Sequence, residues 1–312
     1  SLTHSASTTF CSPVSLFVKN YLNKSQQDQT AIDYPYQYVA PVNTGVATTF
    51  DLDNNGEKTG NAGDAYGWGM YPGQYGMALL SRYPIDAAAV RTFQHFLWRD
   101  MPGALQITKP ASGEPWFAPQ EWAAVRLSSK SHWDIPVTIG GKKLHILAMH
   151  PTPPTFDGPE DRNGKRNHDE IRLMADYLTP ERAEYIYDDN GEKGGFAGQR
   201  FVLVGDFNAA DIGDKHRPGV IEQLTEHPLV NSSVIPQSEG GSESAEESYS
   251  SRFTAYWGAR ADYVLPSKQG LTVQGGGVFW PVKASPLYRL VKDRQSSSDH
   301  RLVWMDVVLN ED

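Results

Sequence analysis

The chain has 312 residues, 39% of them hydrophobic, and a formal net charge of −9, enough for one large or two small domains around a sizeable core. Twenty-eight Lys and Arg against 37 Asp and Glu exclude a broad basic surface of the kind that binds nucleic acid by displacing counterions; a small local basic cleft stays open. The single cysteine, Cys11, excludes an intrachain disulfide, and no apolar run approaches the ~20 residues of a membrane helix.

Residues 1–32 are polar and rich in Ser and Thr, with one short amphipathic helix predicted over 14–22. An extended aromatic strand is expected at 34–38, and the Gly-, Asp- and Asn-rich stretch 50–71 reads as a long loop. A strand at 77–81 is stopped by Arg82-Tyr83-Pro84, and residues 87–98 have helical spacing. Apolar runs at 125–129 and 144–149 read as strands bridged by a turn at Gly140-Gly141. The apolar residues at 171, 173, 174 and 178 predict a helix over 169–178 that packs one face, stopped by Pro180. A strand at 200–204, a short helix at 220–224 running toward His227, and a mobile Ser/Glu/Gly-rich insertion at 231–251 follow. Strands at 263–265, 278–280 and 302–309 close the chain. No repeat and no clear linker interrupts this order, so strands with interspersed helices imply one mixed α/β domain over 1–312.

The chemistry concentrates at strand ends. The apolar run Val202-Leu203-Val204 leads into Gly205-Asp206-Phe207-Asn208. If the strand persists, Asp206 and Asn208 point to one side, and a carboxylate with an amide oxygen suits Mg²⁺, which takes few protein ligands. The same letters are also good turn chemistry. Ser298-Asp299-His300 opens another apolar run, where His300 is a candidate general base on water. Asp262, before Tyr263-Val264-Leu265, is the candidate carboxylate that orients it. His150 ends a strand ahead of Pro151-Thr152-Pro153-Pro154, at the carboxyl end where α/β sheets build sites.

As a set, these motifs resemble the endonuclease/exonuclease/phosphatase family, together with Gly76-Met77-Ala78-Leu79-Leu80-Ser81-Arg82-Tyr83-Pro84-Ile85 and its Ser-Arg-x-Pro ending. They run in the family order from about residue 70 to 308, with 1–32 poorly matched. The resemblance implies a two-sheet α/β sandwich of the deoxyribonuclease I-like type, with helices outside. It implies a Mg²⁺- or Mn²⁺-dependent phosphoester hydrolase, a phosphodiesterase or phosphatase. His300 and Asp262 would then activate water. Asp206 and Asn208 would position it and contact metal or phosphate, Asp299 would bind metal, and His150 would bind phosphate or act as the acid. A nuclease acting on DNA or RNA is the alternative, and a non-catalytic binding module is the rival from another class. A phosphate ester is the expected partner; no obligate protein partner is evident. The periplasm or the exterior is the expected location, with the cytoplasm left open.

The chain departs from the family pattern at its start. The pattern calls for a strand ending in Asn and a later strand ending in a metal-binding Glu. Here the first Glu is Glu57, in the polar 51–60 segment. The expectation is that the first strands are missing from a trimmed chain that starts at Ser1; a degenerate, weakly catalytic member is the alternative. Three further stretches carry candidates. Asp51-Leu52-Asp53-Asn54-Asn55-Gly56 resembles the first half of a calcium loop, with Asp51, Asp53 and Asn55 as ligands, but its twelfth position is Ala62 rather than Glu. A plain Asn-Gly turn is the competing reading. Lys165-Arg166-Asn167-His168 forms a local basic cluster in which Arg166 and His168 are candidates for a substrate phosphate, against a solvated helix entry. Lys130, just past a predicted strand, is a third such candidate.

Overall fold

The computed structural model describes residues 12–311; Cys11 lies outside them. The chain opens with helix α1 (Pro13–Phe17), capped by Ser12 and started by Pro13, and continues as a π-helical turn (Val18–Leu22). Strands β1 (Tyr36–Tyr38) and β2 (Leu79–Ser81) pair antiparallel across the long loop between them. Next come β3 (Arg91–Thr92), the one-turn helix α2 (Pro119–Trp122), and the hairpin β4 (His132–Ile139) and β5 (Lys142–Met149), which turns at Gly140-Gly141 as its sequence requires. The long helix α3 (Arg162–Tyr177) crosses over to β6 (Phe201–Asp206), which runs parallel to β5. Short helices α4 (Glu222–Thr225) and α5 (Glu239–Ser242) precede β7 (Asp262–Pro266), β8 (Leu271–Val278) and β9 (Val303–Leu309).

The central sheet has the order β3-β4-β5-β6-β7. One face packs on α3, where Ile171, Leu173 and Met174 meet Leu147, Met149, Leu203 and Leu265. The other face is covered in two places. The β1–β2 pair brings Tyr38 and Leu79 onto Trp133 and Ile135. The β8–β9 pair brings Leu271 and Leu309 onto Leu144 and Val202. The result is the expected mixed α/β sandwich, whose second layer is built from two separate strand pairs. Among the described residues no helix is long and apolar enough to cross a membrane.

Several local expectations are corrected. Residues 87–98 do not form a helix: a single 3-10 turn (Ala87–Ala89) leads into β3. The reason is a distant side chain, since the Asp189 carboxylate accepts from Thr92 Oγ1, Gln94 N and His95 N. This lets Phe93, Phe96 and Trp98 all bury from irregular backbone. Residues 125–129 are not a strand either. Their carbonyls are taken by the guanidinium of Arg166 and the amide of Asn43, and the true hairpin partner of β5 starts at His132. Helix α3 begins seven residues before the predicted start. The strand expected at 278–280 ends rather than begins at Val278. The 231–251 insertion carries α5, capped by Ser238 Oγ, with Gly240 seated against the Trp280 carbonyl.

One glycine fixes how close two site-bearing strands approach. Gly205 has φ +142°, and a Cβ there would run into the Met149 carbonyl oxygen on the neighbouring strand. Strain and overpacking add, so Gly205→Ala is expected to destabilise the protein by about 2–4 kcal/mol, read as a lowered Tm in thermal denaturation. An unchanged Tm would show that the β5–β6 spacing is not held here.

Candidate catalytic site at the strand ends

The topology delivers the predicted groups to one rim. Because β5 and β6 are parallel, His150 and Asp206 leave the sheet on the same edge. Because β6 and β7 are antiparallel, Asp206 and Asp262 are direct cross-strand partners. Two carboxylates placed opposite one another repel, a cost with no return in packing. His300 docks beside them through a bridge between its backbone and Ala255.

Asp206, Asp262 and His300 bring ligand atoms within 4.8 Å of one another. His300 Nδ1 lies 2.8 Å from Asp262 Oδ2. That oxygen also accepts from Thr254 Oγ1, which in turn accepts from the backbone N–H groups of Ala261 and Asp262. The carboxylate is therefore fixed before it fixes the imidazole. His300 Nε2 is left facing Asp206 Oδ2 at 3.8 Å, and His150 Nε2 approaches the same oxygen at 3.4 Å. Asn208 holds the turn, with its N–H on Asp206 Oδ1, its side chain on the Pro151 carbonyl and its own φ at +51°. Left-handed backbone at a non-glycine residue is a local strain of the kind that gathers at functional sites.

The electrostatics follow from burial and crowding. Burial, reinforced by the charge of Asp262, pushes the Asp206 carboxyl up to about 6. Burial alone would depress His300, but its Asp262 hydrogen bond and the charges of Asp262, Asp206 and Asp299 outweigh it and hold the imidazolium up to about 9. His150 goes the other way: burial, then Lys130 and His300, keep it well below the ordinary histidine range, so it is neutral and hydrogen-bonded to the Tyr75 backbone.

The remaining candidates are placed as follows. Lys130 is buried under the site, with one long hydrogen bond to the Pro151 carbonyl (3.4 Å), and burial brings its amine down to about 8. Arg166 is half-buried, and its guanidinium donates to the carbonyls of Tyr66, Arg126 and Leu127. It balances charge beneath the site and tethers the chain. His168 sits against Asp169 (2.8 Å) and lines a cleft of about 420 Å³ with Lys165, His216 and Arg217; that cleft shares no residue with the His150–Asp206–His300 cluster. Asp299 turns toward Arg294 (3.6 Å) and lies outside the three-group cluster. Among the described residues no glutamate joins that cluster. The Asp51, Asp53 and Asp64 carboxylates also come within 4.8 Å of one another. Asp51 and Asp53 cap the turn at Asn55 and Gly56, Asn55 Oδ1 accepts from Glu57 N, and buried Asp64 accepts from Leu52 and Thr59.

Residues missed from sequence complete the base of the site. Glu170, on α3, accepts from Ser129 N and Thr152 N (2.6 Å each). Asn167 donates to the carbonyls of Thr152 and Phe207. Both lie on the buried face of α3 with Ile171 and Met174; Glu170 falls within the predicted helix, and extending the helical period back by two residues would have found Asn167.

A sequence model described as the endonuclease/exonuclease/phosphatase family matches residues 21–300, which takes in every residue of this cluster. The chain belongs to the endonuclease/exonuclease/phosphatase family. The match starts well before the segment in which the individual motifs become legible, near residue 70. No curated protein matches the sequence. Among solved structures, the chain is similar to a family member from Beutenbergia cavernae (15% identity, 88% of this chain and 54% of that one, TM-score 0.43). It is also similar to a family protein from Leptotrichia buccalis (16%, 89% and 73%, TM-score 0.42) and to sphingomyelinase C from Streptomyces griseocarneus (14%, 88% and 74%, TM-score 0.41). The chain thus spans about half the length of the Beutenbergia protein.

Proposed function

We propose that the protein is a divalent-metal-dependent phosphoester hydrolase whose nucleophile is water activated by His300. The observation that carries this is the Asp262–His300–Asp206 arrangement, an imidazole oriented by one carboxylate and aimed at a second. The donor set fits a hard cation: Asp206 and Asp262 are forced together across a strand pair, and burial with that repulsion raises the Asp206 carboxyl. Asp206 and Asp262 would hold Mg²⁺ or Mn²⁺, with Asn208 and Asp299 as further oxygen donors nearby, and the ion would supply charge for the phosphoryl oxygens. His300 Nε2 takes the proton from water while Asp262 stabilises the imidazolium through Nδ1. His150 shares this rim, with its Nε2 3.4 Å from Asp206 Oδ2, and borders the space a bound phosphate would occupy. Lys130 adds positive charge beneath the phosphate.

A panel of a nitrophenyl phosphodiester, a phosphomonoester, plasmid DNA and RNA, each run with Mg²⁺ and with EDTA, tests this reading. Turnover of at least one substrate that EDTA abolishes is the expected result. Turnover indifferent to EDTA, or none at all, would remove the metal-hydrolase assignment. The acidic net charge favours a small diester over duplex DNA.

The pH behaviour has a definite sign. Asp206 and His300 both bind protons more tightly when folded, so their contribution to stability is present at low pH. It is lost as pH rises through about 6 for Asp206 and about 9 for His300. Protons compete with metal for Asp206. The rise in Tm on adding Mg²⁺ is therefore expected to be larger at pH 8 than at pH 5. The His300 imidazole signal in NMR is expected to titrate near 9 without metal and ~1 unit or more lower with it. An Mg²⁺-induced Tm shift that is constant across that range would contradict the placement of metal at Asp206.

A further inference from the structure

Each of the two imidazoles that converge on Asp206 is attached to a set of exposed aromatic residues. On the His150 side, Trp68, Tyr71 and Tyr75 are 54%, 61% and 52% exposed, and the Trp68 and Tyr75 rings lie 6.1 Å apart, tilted by 35°. On the His300 side, Trp257 meets the imidazole edge-on at 6.1 Å, and its neighbour Tyr256 is tied by its N–H to the Asp299 carbonyl. Folding does not account for these rings, which remain in water beside a polar site.

The loop that presents the first set is rigid. Gly67 fits against the Ser129 carbonyl, Gly69 against Gly45 N, and Gly45 against the Tyr71 carbonyl, in each case with no room for a Cβ. Gln74 Oε1 accepts from Met70 N, and the Thr44 hydroxyl donates to the Gln74 carbonyl. Tyr75 is held at φ +59° while its backbone bonds His150. An aromatic residue kept both strained and exposed is preorganised for a partner that arrives in one orientation.

We propose that these rings form a stacking clamp, and that the substrate of this site carries a flat, uncharged ring system, a nucleoside base or an aryl group, on the group that the phosphate keeps. This rests on the phosphoester reading above. Aromatic faces hold planar rings without needing charge, and a chain with net charge −9 is poorly matched to a long polyanion or to an anionic bilayer surface. The substrate is accordingly a small phosphodiester.

The p-nitrophenyl esters of thymidine 5′-phosphate, ethyl phosphate and phosphocholine share one leaving group, so differences among them report on the retained group. With Mg²⁺ present, kcat/KM is expected to favour the thymidine ester over the ethyl ester by roughly tenfold or more. Trp68→Ala should collapse that ratio through KM, while Trp68→Phe keeps most of it. Trp68 is exposed, and a retained Tm in each variant excludes unfolding as the cause. A ratio near one, a preference for the choline ester, or ring-dependent sedimentation with phosphatidylcholine vesicles would overturn the clamp while leaving the hydrolase reading intact. If none of the esters is hydrolysed, the hydrolase reading is decided by the wider substrate panel, and tryptophan fluorescence decides the clamp. Quenching by thymidine 5′-monophosphate but not by ribose 5-phosphate supports it, and equal response to both sinks it.

Discussion

Replacing His300 by alanine is expected to lower kcat by about 10²–10⁴-fold, the usual contribution of a positioned general base. The residue is poised for this by three independent features. Its Nδ1 is fixed on Asp262, its Nε2 is directed at Asp206, and its ring is backed edge-on by Trp257. Asp262 acts through His300, so Asp262→Asn should also cost activity, and the double variant should be little slower than His300→Ala alone. Multiplicative losses would mean that the two residues do not work as a unit. Retention of wild-type kcat by His300→Ala would remove it from the chemistry.

The second large effect is structural. Glu170→Ala is expected to destabilise the protein by about 3–5 kcal/mol, the range seen when one partner of a buried charge set is removed. The corresponding fall in Tm is roughly 5–8 °C. Glu170 is 1% exposed and sits near two cations, buried Lys130 and half-buried Arg166, while its two oxygens hold Ser129 N and Thr152 N. Its removal strands the buried Lys130 ammonium and two backbone donors. Adding Lys130→Met should recover part of the lost Tm, because one unpaired ammonium disappears with it. If Glu170→Ala unfolds at the wild-type temperature, buried charge balance is not what holds the β4 and β5 ends in place.

The sequence was most legible where strands are buried and their ends carry chemistry. Val202 to Val204 reads as a strand and is one, and the Asp206, Asp262 and His300 motifs meet as their order in the chain suggests. Periodicity failed where long-range side chains replace backbone pairing. The residues after Ala87 mimic a helical stripe, yet their donors belong to Asp189, some ninety residues later in the chain. The carbonyls near Arg126 belong to Arg166 rather than to a neighbouring strand. Arg166 and His168 look alike as a basic cluster in sequence but separate on the helix, one donating to backbone carbonyls and the other facing a different cleft. The aromatic set around Trp68 was hidden because glycine-rich composition reads as loop, and composition does not distinguish a loose loop from one locked by close backbone contacts.

Among the described strands, β5 and β6 form the one parallel pair, and a parallel pair needs a crossover. Here the crossover is α3 and the residues around it. The links between the reacting groups are accordingly distant in sequence: the tightest of them, His300 to Asp262, closes a loop of 38 residues. Loop closure of this kind comes late in folding, after hairpins such as β4–β5 have formed. Catalytic competence is thus a property of the finished chain, and a half-folded molecule with most of its secondary structure would bring no two of the reacting groups together.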